Sequence, residues 1–398
     1  MKKIITAEKL SKLPPYIFAR INVLKAEAYR KNLDVIDLGM GNPDMAPPQC
    51  VVDRLCDTVQ HHPRTHRYPQ AKGMPKFRKV IAEWMHSRFG VTFNPDHEVL
   101  ALIGSKEGEG HLCMAFLNPG DLVLSPDPGY PIYYNGVVLA NGKMHAMPIT
   151  EKTNYLPEFH KIPESVARKS KIMFLNYPNN PTAAVVEDKA FYVEAVKFCK
   201  KYGIILVHDA AYSEITFDGY VAPSIFEIPG AKDVSVEFHS FSKTYSMAGW
   251  RAGFAVGNEY IIKAVEKFKS FVDYGLPTFT QLSCVMALKE GKDYIAGNVK
   301  VYQERRDKFI REMSKIGWDI PKSKGTMYLW AKLPEKFQKI GSLKFAEELL
   351  RQTGVVVSPG AAFGEYGEGY VRIALVTHIN RFHDAALRIK EFFKSEII

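Results

Sequence analysis

The chain has 398 residues, of which 46% are hydrophobic and 24% charged, with a formal net charge of +10. That length supports roughly two to three domains of about 150 residues; the composition, with no low-complexity tract or repeat period, excludes a disordered chain or a solenoid. No apolar run reaches the length of a membrane span, Met1-Lys-Lys-Ile-Ile-Thr lacks the apolar core of a secretory signal, and the lysines and arginines are interleaved with acids in stretches such as Tyr302–Phe309, so a cytoplasmic protein without a nucleic-acid or membrane surface is expected.

Residues 1–45 read as an arm: Leu13-Pro-Pro-Tyr16, a helical segment through Arg30, and a short strand Val35–Leu38 that enters the tight turn Gly39-Met-Gly41-Asn-Pro. His61, His62 and His66 contain an i, i+4 pair, but Pro63 interrupts any helix there and no acid has ligand spacing, so no metal is expected. From Val99 onward, short apolar runs alternate with helical segments: Val99–Ile103, Asp121–Leu124, Lys171–Leu175, Ile204–Val207 and Val234–Phe238, with Gly253–Gly257 as a further strand. Continuous apolar strands separated by helices predict an α/β fold around a mostly parallel sheet covered on both faces. Ligands of such sheets bind at the carboxyl ends of the strands, so the residues just past the end of each run matter most. Beyond Gly257 the chain is helical (Tyr260–Phe271, Thr278–Leu288, Tyr294–Ile316). It then forms a smaller α+β unit with strands Thr326–Trp330, Val355–Ser358 and Tyr370–Leu375 around a helix at Leu343–Arg351. The five cysteines, at 50, 56, 113, 199 and 284, are scattered and odd in number without Cys-x-x-Cys, which fits buried thiols better than a disulfide framework.

The strand ends carry chemistry. Gly104-Ser105-Lys106-Glu107-Gly108 opens a helix, where a small hydroxyl residue and free N–H groups make an anion cradle. Asn176-Tyr-Pro-Asn-Asn180-Pro-Thr is a proline-fixed loop that holds an amide in one orientation. His208-Asp209-Ala-Ala-Tyr212 puts a carboxylate at a strand end with a phenol three residues on. Ser240-Phe-Ser-Lys243, followed by Arg251 and Gly253, places a lysine on the turn between two strands beside hydroxyls and a cation. Hydroxyls plus arginine describe a phosphate site, and a lysine beside one describes a Schiff base to a phosphorylated aldehyde. In the last strand Arg372 interrupts the apolar residues. It is either a polar surface group or, if aimed into a cleft, a clamp for a carboxylate.

Taken together, these residues resemble the class I/II aminotransferases, the fold-type I pyridoxal 5'-phosphate enzymes, over essentially the whole chain. The resemblance rests on Tyr68 in Arg-Tyr-Pro-Gln-Ala-Lys-Gly73, Gly104-Ser-Lys-Glu-Gly, Asn180-Pro-Thr, Asp209-x-x-Tyr212, Ser240-x-Ser-Lys243 with Arg251, and Arg372. One departure is Ala183, where the family's usual motif has glycine. The resemblance implies a large domain, residues 46–292, with a mostly parallel seven-stranded sheet, and a small C-terminal domain, residues 293–398, completed by the arm. It implies that Lys243 forms the Schiff base and shuttles a proton, that Asp209 pairs with the pyridine nitrogen, and that Asn180 and Tyr212 bond the 3'-oxygen. Ser105, Ser240 and Arg251 are expected to hold the phosphate, with Tyr68 contributed by the other subunit of a homodimer. Tyr130 is expected on the ring, and Arg372 with the Gly41 backbone on the substrate carboxylate.

Within the family, Leu13-Pro-Pro-Tyr, Met40-Gly-Asn-Pro-Asp and Met247-Ala-Gly-Trp-Arg resemble the bacterial alanine transaminase group. Aspartate transaminases read the side-chain carboxylate with an arginine that the matching segment Phe271–Gln281 lacks. The expected reaction is therefore transfer between L-alanine and 2-oxoglutarate, giving pyruvate and L-glutamate by a ping-pong mechanism. Lys106 is the expected partner of the acceptor's distal carboxylate, with Tyr16 closing over the pocket. Aspartate and LL-diaminopimelate are the alternatives, and a lyase reaction is a further one.

Overall fold

The computed structural model describes residues 5–13 and 17–394. The apolar runs become strands: β1 (Ile36–Asp37), β2 (Val99–Leu102), β3 (Leu122–Asp127), β4 (Lys143–Pro148), β5 (Ser170–Asn176), β6 (Ile205–Asp209), β7 (Ser235–Ser240), β8 (Gly253–Gly257), β9 (Tyr328–Lys332), β10 (Val355–Val356), β11 (Ser358–Pro359) and β12 (Tyr370–Ala374). Strands β2 to β8 form one seven-stranded sheet in the order β2-β8-β7-β6-β5-β3-β4. Only β8 runs against its neighbours. The carboxyl ends of the other strands therefore share one edge, and β8 begins there, which brings Arg251 to the same edge as Ser105, Asp209 and Lys243.

Side chains of this sheet alternate between two cores. Ala101, Leu124, Met173, Leu175 and Leu206 pack on one face, and Leu100, Val123, Ile172, Phe174, Val207 and Phe238 on the other. Burial on both faces is why these strands read as unbroken apolar runs. Strand β4 is absent from the sequence expectation. It is the sheet's edge strand, pairing only with β3, and its Lys143 and Pro148 are exposed, so it carries no continuous apolar signal.

A third hydrophobic cluster joins Ile21, Ile36 and Leu38 from the start of the chain to Phe309, Leu329, Phe345, Val371 and Phe392 from its end. β1 pairs in parallel with β10, and β11, β12 and β9 form an antiparallel sheet. We propose domain boundaries near residues 46 and 292 on this basis, with the arm completing the smaller domain. The predicted strand Val355–Ser358 is split between these two sheets, because β10 pairs with β1 and β11 with β12.

One polar cluster lies within the sheet. His208 and His239 meet the fully buried Glu237 at 2.8 and 2.7 Å, Ser224 Oγ donates to it at 2.9 Å, and Ile225 N at 2.9 Å. Burial opposes ionisation of Glu237, but the hydrogen bonds from both histidines outweigh it and hold the carboxyl far below the usual range. Its contribution to stability is fully present above the unfolded carboxylate value of about 4.3 and is lost as pH falls toward the folded value. Removing one member of a buried charged cluster strands the others, so Glu237→Ala is expected to cost about 3–5 kcal/mol. An unchanged urea midpoint at neutral pH would show that the cluster does not stabilise the fold.

Candidate active site

A cavity of about 290 Å³ opens at the strand-end edge. Its lining includes Gly41, Ser105, Lys106, Tyr130, Asn180, Asp209, Tyr212, Ser240, Lys243, Arg251 and Arg372. The residues expected from sequence thus converge, with two exceptions. Tyr68 is 87% exposed and absent from this lining, and Tyr16 lies outside the described residues.

The anion cradle is built by close backbone approach. Ser105 starts the helix Ser105–Phe116, whose first turn is pinned because Glu107 accepts from Ile103 N at 2.9 Å and from the buried Lys269 at 2.8 Å. A Cβ on Gly253 would sit 2.9 Å from Ser105 N, and one on Gly104 would sit 2.9 Å from Arg251 Nη2, so both glycines are needed to bring the helix start and the guanidinium together. Ser240 caps the next turn, its Oγ accepting from Ser242 N at 3.2 Å. These donors and the positive helix end suit a phosphate.

Lys243 does not sit on an open turn as expected but in the short helix Phe241–Thr244 that Ser240 caps. Its Nζ donates to Gly41 O at 2.5 Å. Burial pushes its ammonium below the ordinary lysine range; Arg372 and Arg251 add to this and the Tyr328 hydroxyl opposes it. An amine biased toward its neutral form can act as nucleophile and base.

Asp209 is buried at the end of β6. It accepts from Tyr133 Oη at 2.7 Å and Ala211 N at 3.1 Å. Asn176 Nδ2 donates to Asp209 O at 2.8 Å, while Asn176 Oδ1 accepts from Asn180 N at 2.8 Å, which ties the Asn180 loop to the strand carrying the acid. Ala183, at the glycine position of that loop, has φ of +57°.

Arg372 is buried, not exposed on the strand surface. It donates to Asn180 Oδ1 at 2.8 Å and Gly39 O at 2.9 Å. Its guanidinium lies over the rings of Tyr328 and Phe363 at 4.2 and 4.7 Å, and its Nε has no hydrogen-bond partner among the described residues. That orphan donor points to a ligand acceptor, since a buried donor left unmade is costly.

Sequence reasoning missed Tyr328, Tyr133 and Phe363. The Tyr328 hydroxyl lies 3.1 Å from that of Tyr212, and a Cβ on Gly41 would sit 1.9 Å from it, so glycine at 41 makes room for this phenol. Burial opposes ionisation of Tyr328, yet the Arg372 guanidinium and the Lys243 ammonium hold its pKa below the ordinary tyrosine range. Its place as the first residue of β9 was the available signal; its facing partners were not visible in sequence.

A buried lysine amine, a buried acid at the neighbouring strand end and an anion cradle in the same cavity, on a mostly parallel seven-stranded sheet, define a fold-type I pyridoxal 5'-phosphate site. The chain belongs to aminotransferase class I and II, whose family model matches residues 33–384, and pyridoxal 5'-phosphate is the cofactor of that family. It is 45% identical over 384 residues to LL-diaminopimelate aminotransferase of Moorella thermoacetica, covering 96% of this chain and 97% of that one. It is also 45% identical over 387 residues to a putative aminotransferase, AatC, of Rhizobium meliloti, covering 97% of this chain and 95% of that protein. Among solved structures, substrate-bound BacF from Bacillus subtilis superposes with a TM-score of 0.94 at 39% identity, covering 98% of each chain. The expected likeness to alanine transaminases is thus replaced by likeness to proteins carrying other names. Of the motifs that suggested it, Met40-Gly41 and Ala248 with Arg251 line the cavity, and Leu13-Pro-Pro-Tyr lies largely outside the described residues. The residues present fit the cofactor: the close approaches at Gly104 and Gly253 bring Ser105 and Arg251 together as donors for a phosphate, and Ser240, Lys243 and Asp209 line the same cavity.

Proposed function

We propose that the chain transfers an amino group between LL-diaminopimelate and 2-oxoglutarate. The observation that carries this reading is the 45% identity, over nearly the full length of both chains, to a protein of that name. Lys106 supports it, because its ammonium lies at the mouth of the cavity 5.8 Å from the Tyr130 ring centroid, where a distal carboxylate is reachable. Alanine is the second reading, favoured by the absence of arginine from Phe271–Gln281.

In this reading Ser105, Ser240 and Arg251 hold the cofactor phosphate, Asp209 faces the ring nitrogen, Asn180 and Tyr212 face the 3'-oxygen, and Tyr130 covers the ring. When bound, the cofactor supplies the electron sink that makes the substrate Cα–H acidic. Lys243 Nζ, biased toward its neutral form, would take that proton from the substrate Cα and deliver it on the cofactor side of the substrate nitrogen. Arg372, held flat by Tyr328 and Phe363, fixes the α-carboxylate so that the Cα–H stays within reach of the lysine. We place Tyr68 on the phosphate of a second copy, in a homodimer. Support comes from the exposed apolar group of Tyr68, Phe271, Val272 and Tyr274, at 87%, 84%, 58% and 60% exposure.

The test is kcat/KM for LL-diaminopimelate, aspartate and alanine with 2-oxoglutarate, on the wild type and on Lys106→Ala. LL-diaminopimelate is expected to lead by at least about tenfold, or ~1.4 kcal/mol. Lys106→Ala is expected to raise KM for 2-oxoglutarate by about threefold to tenfold, as for a partly exposed ion pair. A tenfold preference for alanine or aspartate would overturn the substrate assignment. Turnover that releases oxo acid with no amino group passed to 2-oxoglutarate would mean a lyase.

A further inference from the structure

Glu109 is a second buried acid beside Asp209. It lies one turn into the helix Ser105–Phe116, fully buried, and neither carboxyl oxygen has a hydrogen-bond partner of ordinary geometry. The surrounding packing is close. A Cβ on Gly108 would meet Leu102 and Phe238 at 2.7 Å, and a Cβ on Gly136 would meet Cys113 Sγ at 3.2 Å and Gly110 Cα at 3.7 Å. Glycines on either side of Glu109 thus let its helix press onto the sheet and onto the neighbouring helix Pro131–Leu139.

The groups facing Glu109 are few. Asp209 comes from β6, Tyr133 and Tyr130 from the neighbouring helix and its cap, and Lys106 and Cys113 from its own helix. Two ionised carboxylates buried side by side repel strongly, so one keeps a proton. Asp209 has two donors already, Tyr133 Oη and Ala211 N, whereas Glu109 has none among the described residues. Burial and the charge of Asp209 push the Glu109 carboxyl well above the usual range; burial raises the Asp209 carboxyl as well, with the Tyr133 hydroxyl, Ala211 N and the Glu109 proton opposing that rise.

We propose that Glu109 is a positioning residue, a neutral carboxylic acid whose proton is shared toward Asp209 and keeps that carboxylate ionised and aimed into the cavity. The consequence for cofactor binding rests on the reading of Asp209 given above; the protonation of Glu109 does not. The decisive measurement is therefore infrared spectroscopy of the cofactor-free protein at mildly alkaline pH, through the carbonyl stretch of a protonated carboxylic acid. That band is expected in the wild type and in Asp209→Asn, and is expected to vanish in Glu109→Gln. A band lost in Asp209→Asn but kept in Glu109→Gln, or absent from the wild type, overturns the proposal. Binding of pyridoxal 5'-phosphate to the same cofactor-free proteins gives the second readout. Glu109→Leu is expected to weaken it about tenfold, the loss of one hydrogen bond to a charged group, and Glu109→Gln, which keeps an N–H donor, to recover most of that loss. Glu109→Leu binding as tightly as the wild type would overturn the positioning role, while the infrared result would still decide the proton's location. Circular dichroism of each variant separates these outcomes from misfolding.

Discussion

Lys243→Ala is expected to lower kcat by on the order of 10⁴-fold while the protein still retains pyridoxal 5'-phosphate. The amine is the only lysine Nζ among the described residues that lines the cavity together with Asp209 apart from Lys106 at its mouth, and no neighbour can take over its proton transfer. Tyr328 is the nearest alternative acid or base, but its hydroxyl is engaged with Tyr212. A positioned general base contributes about 10² to 10⁴-fold, and loss of the covalent attachment adds to it. Retention is expected because the Ser105 helix start and Arg251 do not depend on the lysine side chain. Steady-state rates and cofactor content after gel filtration check both halves. A near-normal rate would remove Lys243 from the mechanism; complete loss of cofactor would show that the cradle alone does not hold it.

Arg372→Ala is expected to reduce kcat/KM by about 3 kcal/mol or more, over a hundredfold. Two terms add. In the proposed reading the substrate carboxylate loses its bidentate partner, and Asn180 Oδ1 and Gly39 O lose the donors that now reach them. Arg372→Lys keeps the charge but not the planar fork stacked between Tyr328 and Phe363, so it is expected to recover only part of the loss. Equal kcat/KM for wild type and Arg372→Ala would place the carboxylate clamp elsewhere.

The sheet and its functional edge were legible because each strand is buried on both faces, which forces a continuous apolar run, and because parallel connections return every strand to the same end. Given those two constraints, Ser105, Asn180, Asp209 and Lys243 had to gather, whatever the details of the loops. Strand β4 escaped notice because an exposed edge strand needs no such run. The turn assigned to Lys243 is a capped helical turn because Ser240 offers its hydroxyl to Ser242 N, a local choice between two conformations that composition does not separate.

What the sequence by itself determined is therefore the order of strands and helices and the residue type at each strand end, since local burial and turn chemistry dictate both. Only the tertiary structure decided whether Arg372 is a surface cation or a buried one. Its partners Asn180 and Gly39 lie 192 and 333 residues away along the chain, and it meets them because the cluster joining the two chain ends packs against the strand-end edge. The same holds for Tyr328 against Gly41 and for Glu109 against Asp209. Each contact joins segments that carry no periodic signal of one another, and its chemistry arises from desolvation, which is a property of the packed assembly of elements and of no single stretch.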